Sequence, residues 1–177
     1  MAENRDDFIL ALYLGRHAGF RIHEYFRIDT ASAERALREN ALTVKGKGGK
    51  VRIVPIEDER ILMMLRKLLA RTERGHKLLV PDDVPTDRAI NALELFIYRY
   101  RNEVSDEVSD RCLTFHGLRH TFAVASIKSG DDIKTVQESL GHATAAFTLD
   151  VYGHVTKQMK QDSAVRMEQF IKSVSGV

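Results

Sequence analysis

At 177 residues, with 44% hydrophobic and 29% charged side chains, the chain is long enough for one well-buried core and too short for two ordinary domains. No apolar run reaches the roughly 18 residues of a membrane span, and the start Met1-Ala-Glu-Asn-Arg-Asp-Asp7 has none of the marks of a signal peptide. A single Cys112 excludes an internal disulfide and reads as a small core residue in a reducing compartment, while a net charge of +2 announces no partner by itself.

Phe8-Ile-Leu-Ala-Leu-Tyr-Leu-Gly15 is apolar and helix-favouring, and it ends in a glycine-containing stretch from Gly15 to Gly19. Arg21-Ile-His-Glu24 opens a second helix, and Ala33 to Asn40 is helical in composition. A hairpin follows. The β-type runs Ala41-Leu-Thr-Val44 and Val51-Arg-Ile-Val-Pro55 flank Gly46-Lys-Gly-Gly-Lys50, a turn rich in the residue that adopts positive φ. Lys45, Lys47, Lys50 and Arg52 crowd into this hairpin, and Arg66, Lys67, Arg71, Arg74 and Lys77 follow it. That distribution suits a basic face, or a solvated mixed surface if nothing else in the chain points to nucleic acid.

Glu57 to Arg74 places Ile61, Leu62, Leu65, Leu68 and Leu69 at the spacing of an amphipathic helix. Leu78-Leu-Val80 is short and apolar, Pro81 to Pro85 is a loop, and Thr86 or Asp87 caps a helix running through Ile90, Leu93, Phe96 and Ile97. The tandem Glu103-Val-Ser-Asp and Glu107-Val-Ser-Asp is too small a repeat for a solenoid. From His116 onward the pattern is helices broken at Gly130, Gly141 and Gly153, with a last helix over about 156–174. The fold class is mainly α with a small antiparallel β-sheet, an α+β domain over residues 1–177 with no interdomain linker.

The chemistry concentrates in one run, His116-Gly-Leu-Arg119 followed by Leu140-Gly-His142 and Val151-Tyr152. Arginine presents a planar fork matched to phosphate oxygens. Histidine titrates near neutrality and can pass a proton or donate to an oxyanion. Tyrosine becomes a covalent nucleophile once its surroundings take its proton. Together they suit holding a phosphodiester and attacking it with a phenolic oxygen. The plainer readings are satisfied core histidines, a surface arginine and a packing tyrosine, which is how Tyr13, Tyr25, Tyr98 and Tyr100 are read. His116 and His120 also have the spacing of paired zinc ligands, but no Glu intervenes in a His-Glu-x-x-His pattern and no third ligand is evident, so no metal is assigned. His17, His23, His76 and His154 receive no role.

The order Arg21, Lys47, His116-x-x-Arg119, Leu140-Gly-His142, Tyr152 resembles the tyrosine recombinase (phage integrase) family, from roughly Leu10 to Val155. The first box departs from the family's usual form: Gly19-Phe-Arg21-Ile-His-Glu24 has Phe before the arginine and His23 where a small residue is usual. The resemblance implies the fold of a tyrosine recombinase catalytic domain, with the N-terminal core-binding domain that usually precedes it absent. It implies Tyr152 as nucleophile, Arg21 and Arg119 as the phosphate clamp, and Glu24 as the residue that orients the arginine box. Lys47 is the implied general acid, with Lys45 and Lys50 competing for that assignment. His116 and His142 would hydrogen-bond the phosphate, His116 also accepting the proton of Tyr152. Lys45, Lys50 and Arg52 are read as DNA contacts.

The implied reaction is transesterification through a 3′-phosphotyrosine, with no cofactor and no metal. The implied partner is double-stranded DNA, bound by self-assembly on paired sites as a tetramer, with a monomer in the absence of DNA and no membrane association. The implied compartment is the cytoplasm, on the nucleoid of a bacterial or phage system. Two rival readings stay open at this stage: a type IB topoisomerase, which rejoins the same strand, and a DNA-binding remnant that no longer cuts.

Overall fold

The computed structural model describes residues 5–46, 49, 51–104, 114–141, 161–165 and 167–173. The chain forms two compact units, residues 1–122 and 123–177.

In the first unit, α1 (Asp6–Ala18) carries Asp6 and Asp7 in its first turn and Arg16 and His17 in its last. Each charge sign sits at the helix end whose dipole favours it. Gly15 does not end this helix. A Cβ there would lie 2.9 Å from Phe115 Cζ, so the glycine lets α1 approach the aromatic ring closely. The true stop is Gly19, at φ 62° and ψ 29°, whose N–H and that of Phe20 both return to the Leu14 carbonyl. Arg21 then takes an extended conformation and opens the single turn α2 (Ile22–Tyr25).

α3 (Thr30–Glu39) starts on Asp29, which accepts from Ser32 N at 2.7 Å, and ends on Asn40 with φ 48°. The hairpin follows directly. β1 (Ala41–Lys45) pairs antiparallel with β2 (Val51–Pro55), Leu42 opposite Val54 and Val44 opposite Arg52. Leu42, Val44 and Val54 are buried, whereas Thr43, Lys45, Val51 and Ile53 face outward. α3 packs on β1 and on α4, and α4 also packs on α1.

α4 (Glu59–Leu69) is shorter at both ends than its periodicity predicts. Asp58 is its cap, accepting from Arg60 N at 3.0 Å, so Glu57 lies outside the helix. At the other end the Thr72 hydroxyl donates to the Leu68 carbonyl at 2.9 Å and the chain turns away. α5 (Thr86–Val104) begins on the Pro85 carbonyl, which accepts from Ala89 N. Thr86 and Asp87 therefore lie inside its first turn rather than at its cap. The core is built from Leu10, Leu14, Phe20, Tyr25, Phe26, Leu42, Ile61, Leu65 and Leu93, each almost fully buried.

α6 (Phe115–Ser129) contributes its first two turns to the first unit and the rest to the second. In the second unit Gly130 ends α6, and Asp132 caps α7 (Ile133–Leu140) by accepting from Lys134 N and Thr135 N. Ala123, Ile127, Val136 and Leu140 are buried. Residues 161–165 and 167–173 are helical, within the 156–174 span read from the sequence, and Val165, Met167, Phe170 and Ile171 are exposed there. Cys112, residues 105–110 of the tandem repeat, and Gly153 lie outside the described residues. No described helix is long and apolar enough to cross a membrane.

Candidate active site

The left-handed turn at Gly19 determines where the first arginine sits. It reverses the chain so that Arg21 caps α2. Glu24, one turn on, folds back: its Oε2 accepts from Arg21 N at 2.7 Å and its Oε1 from Arg21 Nη1 at 3.1 Å. The Glu24 side chain has no solvent exposure, while that of Arg21 is 29% exposed. The box is buried at its carboxylate and part-exposed at its guanidinium.

Burial alone would push the Glu24 carboxyl up. Hydrogen bonds from Arg52 and from the Arg21 backbone, together with both guanidinium charges, outweigh it and hold the group at about 2. His23, beside Glu24, moves down from the ordinary histidine range. Burial is the main cause, Glu24 opposes it, and Arg27, Arg21 and Arg119 reinforce it. That shift favours the neutral imidazole at the position where the sequence departs from the family's usual small residue.

The second arginine arrives on α6. Thr114 caps that helix, its hydroxyl accepting from Gly117 N at 3.0 Å. Arg119 is 5% exposed and donates from Nη1 to the Gly19 carbonyl. The turn that presents Arg21 thus also anchors Arg119, a residue 100 positions later in the chain. His116 is exposed in the first turn of α6, where the helix dipole favours an anion. Two guanidiniums held at one turn form an arrangement able to hold an anion such as a phosphate.

Among the residues read as DNA contacts, Lys45 is exposed on β1, and its carbonyl accepts from Arg27 Nη1 at 3.2 Å. Arg52 is placed otherwise: both of its terminal nitrogens bond Glu24, at 2.8 and 2.7 Å. Lys47, Lys50, His142 and Tyr152 lie outside the described residues. Among the described residues, no three His, Cys, Asp or Glu side chains come together as a group able to hold a metal ion.

A family model described as the phage integrase family matches residues 3–159. The chain belongs to that family. Among the integrase relatives, tyrosine recombinase XerC of Listeria monocytogenes serotype 4a is 33% identical over 163 residues, covering 87% of this chain and 51% of that protein. Tyrosine recombinase XerA of Pyrococcus horikoshii is 30% identical over 182 residues, covering 99% and 59%. The chain thus spans about half the length of the curated relatives it matches. Among solved structures, the XerH site-specific recombinase bound to palindromic difH substrate, in its post-cleavage complex, superposes with a TM-score of 0.66 at 17% identity, covering 94% of this chain and 48% of that one. The mainly helical fold with its two-stranded antiparallel sheet is that of tyrosine recombinase catalytic domains.

Two features of this site escaped the sequence reading. The Gly19 carbonyl as anchor for Arg119 left no signal, because a backbone acceptor has no residue type. The inward face of Arg52 did leave one. On a period of two it shares a strand face with Val54, across from Leu42 and Val44, which is the apolar face of the hairpin.

Proposed function

We propose that this chain cuts and rejoins DNA as a site-specific recombinase. The observation that carries the reading is the convergence of Arg21 and Arg119 on one turn, with Glu24 buried beneath it. Attack on a phosphodiester builds charge on the non-bridging oxygens, and two guanidiniums stabilise that charge as it develops. Tyr152 forms the O–P bond while the P–O5′ bond breaks. His116 accepts the tyrosine proton, Lys47 protonates the departing 5′ oxygen, and His142 hydrogen-bonds the phosphate. The free 5′-hydroxyl of a second strand then reverses the step, so the bond energy is retained in the protein–DNA link.

Double-stranded DNA is the partner, a reading in keeping with the XerH recombinase solved bound to its palindromic difH substrate, and the site of action is the cytoplasm, on the nucleoid. Assembly as a tetramer on paired sites uses the C-terminal helical segment, whose exposed Val165, Met167, Phe170 and Ile171 dock on a second copy once DNA is bound. Without DNA the protein is a monomer.

The test uses a library of randomised nicked duplexes carrying a 5′-bridging sulfur at the nick-proximal phosphate, incubated with the full chain in chelator. Covalently captured duplexes are recovered and sequenced, which also reveals the site. Capture by the wild type and none by Tyr152→Phe is the expected result. On the matching all-oxygen duplex Lys47→Ala is expected to slow cleavage by about 10²–10⁴-fold, with recovery on the sulfur duplex, whose leaving group needs no proton. Absence of any adduct from the wild type would overturn the reading.

A further inference from the structure

The geometry points to Arg52 as a positioning residue that couples the β1–β2 hairpin to the arginine box, an inference that rests on the roles proposed above for Arg21 and Lys47. Its neighbours in β2, Val51 and Ile53, are exposed, whereas the Arg52 side chain is only 10% exposed and lies over the ring of Phe20, 5.8 Å from its centroid. Nη1 bonds Glu24 Oε1 at 2.8 Å and Nη2 bonds Oε2 at 2.7 Å, a parallel two-pronged pair. The same two oxygens accept from Nη1 and from the backbone of Arg21. One buried carboxylate is therefore shared between the strand that follows Lys47 and the residue that faces the phosphate.

This sharing has a directional consequence. While Arg52 neutralises Glu24, the same carboxylate holds the part-exposed guanidinium of Arg21 at the turn. Without Arg52, the buried carboxylate draws harder on Arg21, which shifts that guanidinium on the phosphate without removing its charge and loosens the hairpin. A lysine cannot replace the arginine, because a single ammonium on a flexible stem lacks the planar fork that holds both oxygens in register. A simple charge contact to phosphate behaves differently: a lysine keeps the point charge there.

Arg52→Lys and Arg52→Met separate the two roles. A positioning role predicts that both variants cleave the captured all-oxygen duplex about 100-fold more slowly than the wild type, since small misplacement of reacting groups costs that much. Their affinity for the duplex and its dependence on salt stay at wild-type values, and the sulfur duplex restores the share of the loss that belongs to Lys47. Cleavage by Arg52→Lys at the wild-type rate, with Arg52→Met weakening binding and lowering the salt slope by about one, makes Arg52 a DNA contact and overturns the proposal. Hydrogen exchange on the free proteins is the second arm, and it needs no activity. Amides of β1 and β2 in Arg52→Met should exchange faster while those of α1 and α4 keep their protection. Unchanged hairpin exchange overturns the coupling even if the wild type captures DNA. Faster hairpin exchange in a protein that captures none leaves the latch intact and removes the recombinase reading instead.

Discussion

Glu24 holds a full charge on a side chain with no solvent exposure, and part of the pH dependence of the fold follows from how that charge is held. Its carboxyl sits at about 2 when folded, against an ordinary value of 4.5. A depressed carboxyl contributes its stability in full above the ordinary value and loses it as pH falls through the folded one. Glu24 therefore supports the fold at neutral pH, and that support declines between about 4.5 and about 2. Arg52→Met removes its two-pronged partner and is expected to cost about 3 kcal/mol at neutral pH, the range for stranding a buried charge. Urea unfolding of both proteins across the acid range checks the assignment. The gap between them should narrow as pH falls toward about 2, and a gap that stays constant assigns the loss to packing rather than to charge. Motif order singled out Arg21 and Arg119, and the structure brings both to the Gly19 turn. Arg52 was counted with its cationic neighbours because cation clusters suggest phosphate, although the strand alternation already placed it inward.

At the scale of elements, α1 depends on the close approach at Gly15. A Cβ added there meets Phe115 Cζ at 2.9 Å, Cε2 at 3.2 Å and Leu118 Cβ at 3.4 Å. Phe115 is 5% exposed and tilted against Tyr25 at 5.1 Å, so its ring has little room to give. Gly15→Ala gains about 1 kcal/mol of helix propensity but over-packs this contact, which costs about 1–3 kcal/mol. A net loss of about 1 kcal/mol is expected, read as a lower unfolding midpoint, and Phe115→Leu in the same chain should restore most of it. If Gly15→Ala alone stabilises the protein, the close approach carries no weight. The sequence could not have shown this, because a glycine inside a helix has the same signature whether it breaks the helix or admits a partner. The partner here lies a hundred positions downstream. The hairpin was readable to within a residue, since β-branched runs and turn glycines are local signals. The ends of α4 and α5 were not, because apolar periodicity locates a buried face while Asp58 and the Pro85 carbonyl decide where the helix begins.

For the whole molecule, the row of cations after the hairpin is less basic in three dimensions than in one. Lys67 and Arg71 both bond Asp6, Arg60 bonds Asp58 with two nitrogens, and Arg66 lies 4.0 Å from Glu59. With a net charge of +2 over the full chain, little long-range attraction is left, and binding to DNA has to come from short-range phosphate contacts. If Arg21, Lys45, Lys47, Lys50 and Arg119 each neutralise one phosphate, the logarithm of the binding constant should fall against the logarithm of salt with a slope of about −4.5. Adding Arg52 would steepen it to about −5.4. Fluorescence anisotropy of the captured duplex over a salt series measures that slope for the wild type, for Lys45→Ala and for Arg52→Met. The placement of Arg52 on Glu24 predicts the shallower value, a drop of about one for Lys45→Ala and no change for Arg52→Met. A slope near zero, with tight binding at high salt, would show instead that this chain recognises DNA through base contacts and surfaces away from the arginine turn.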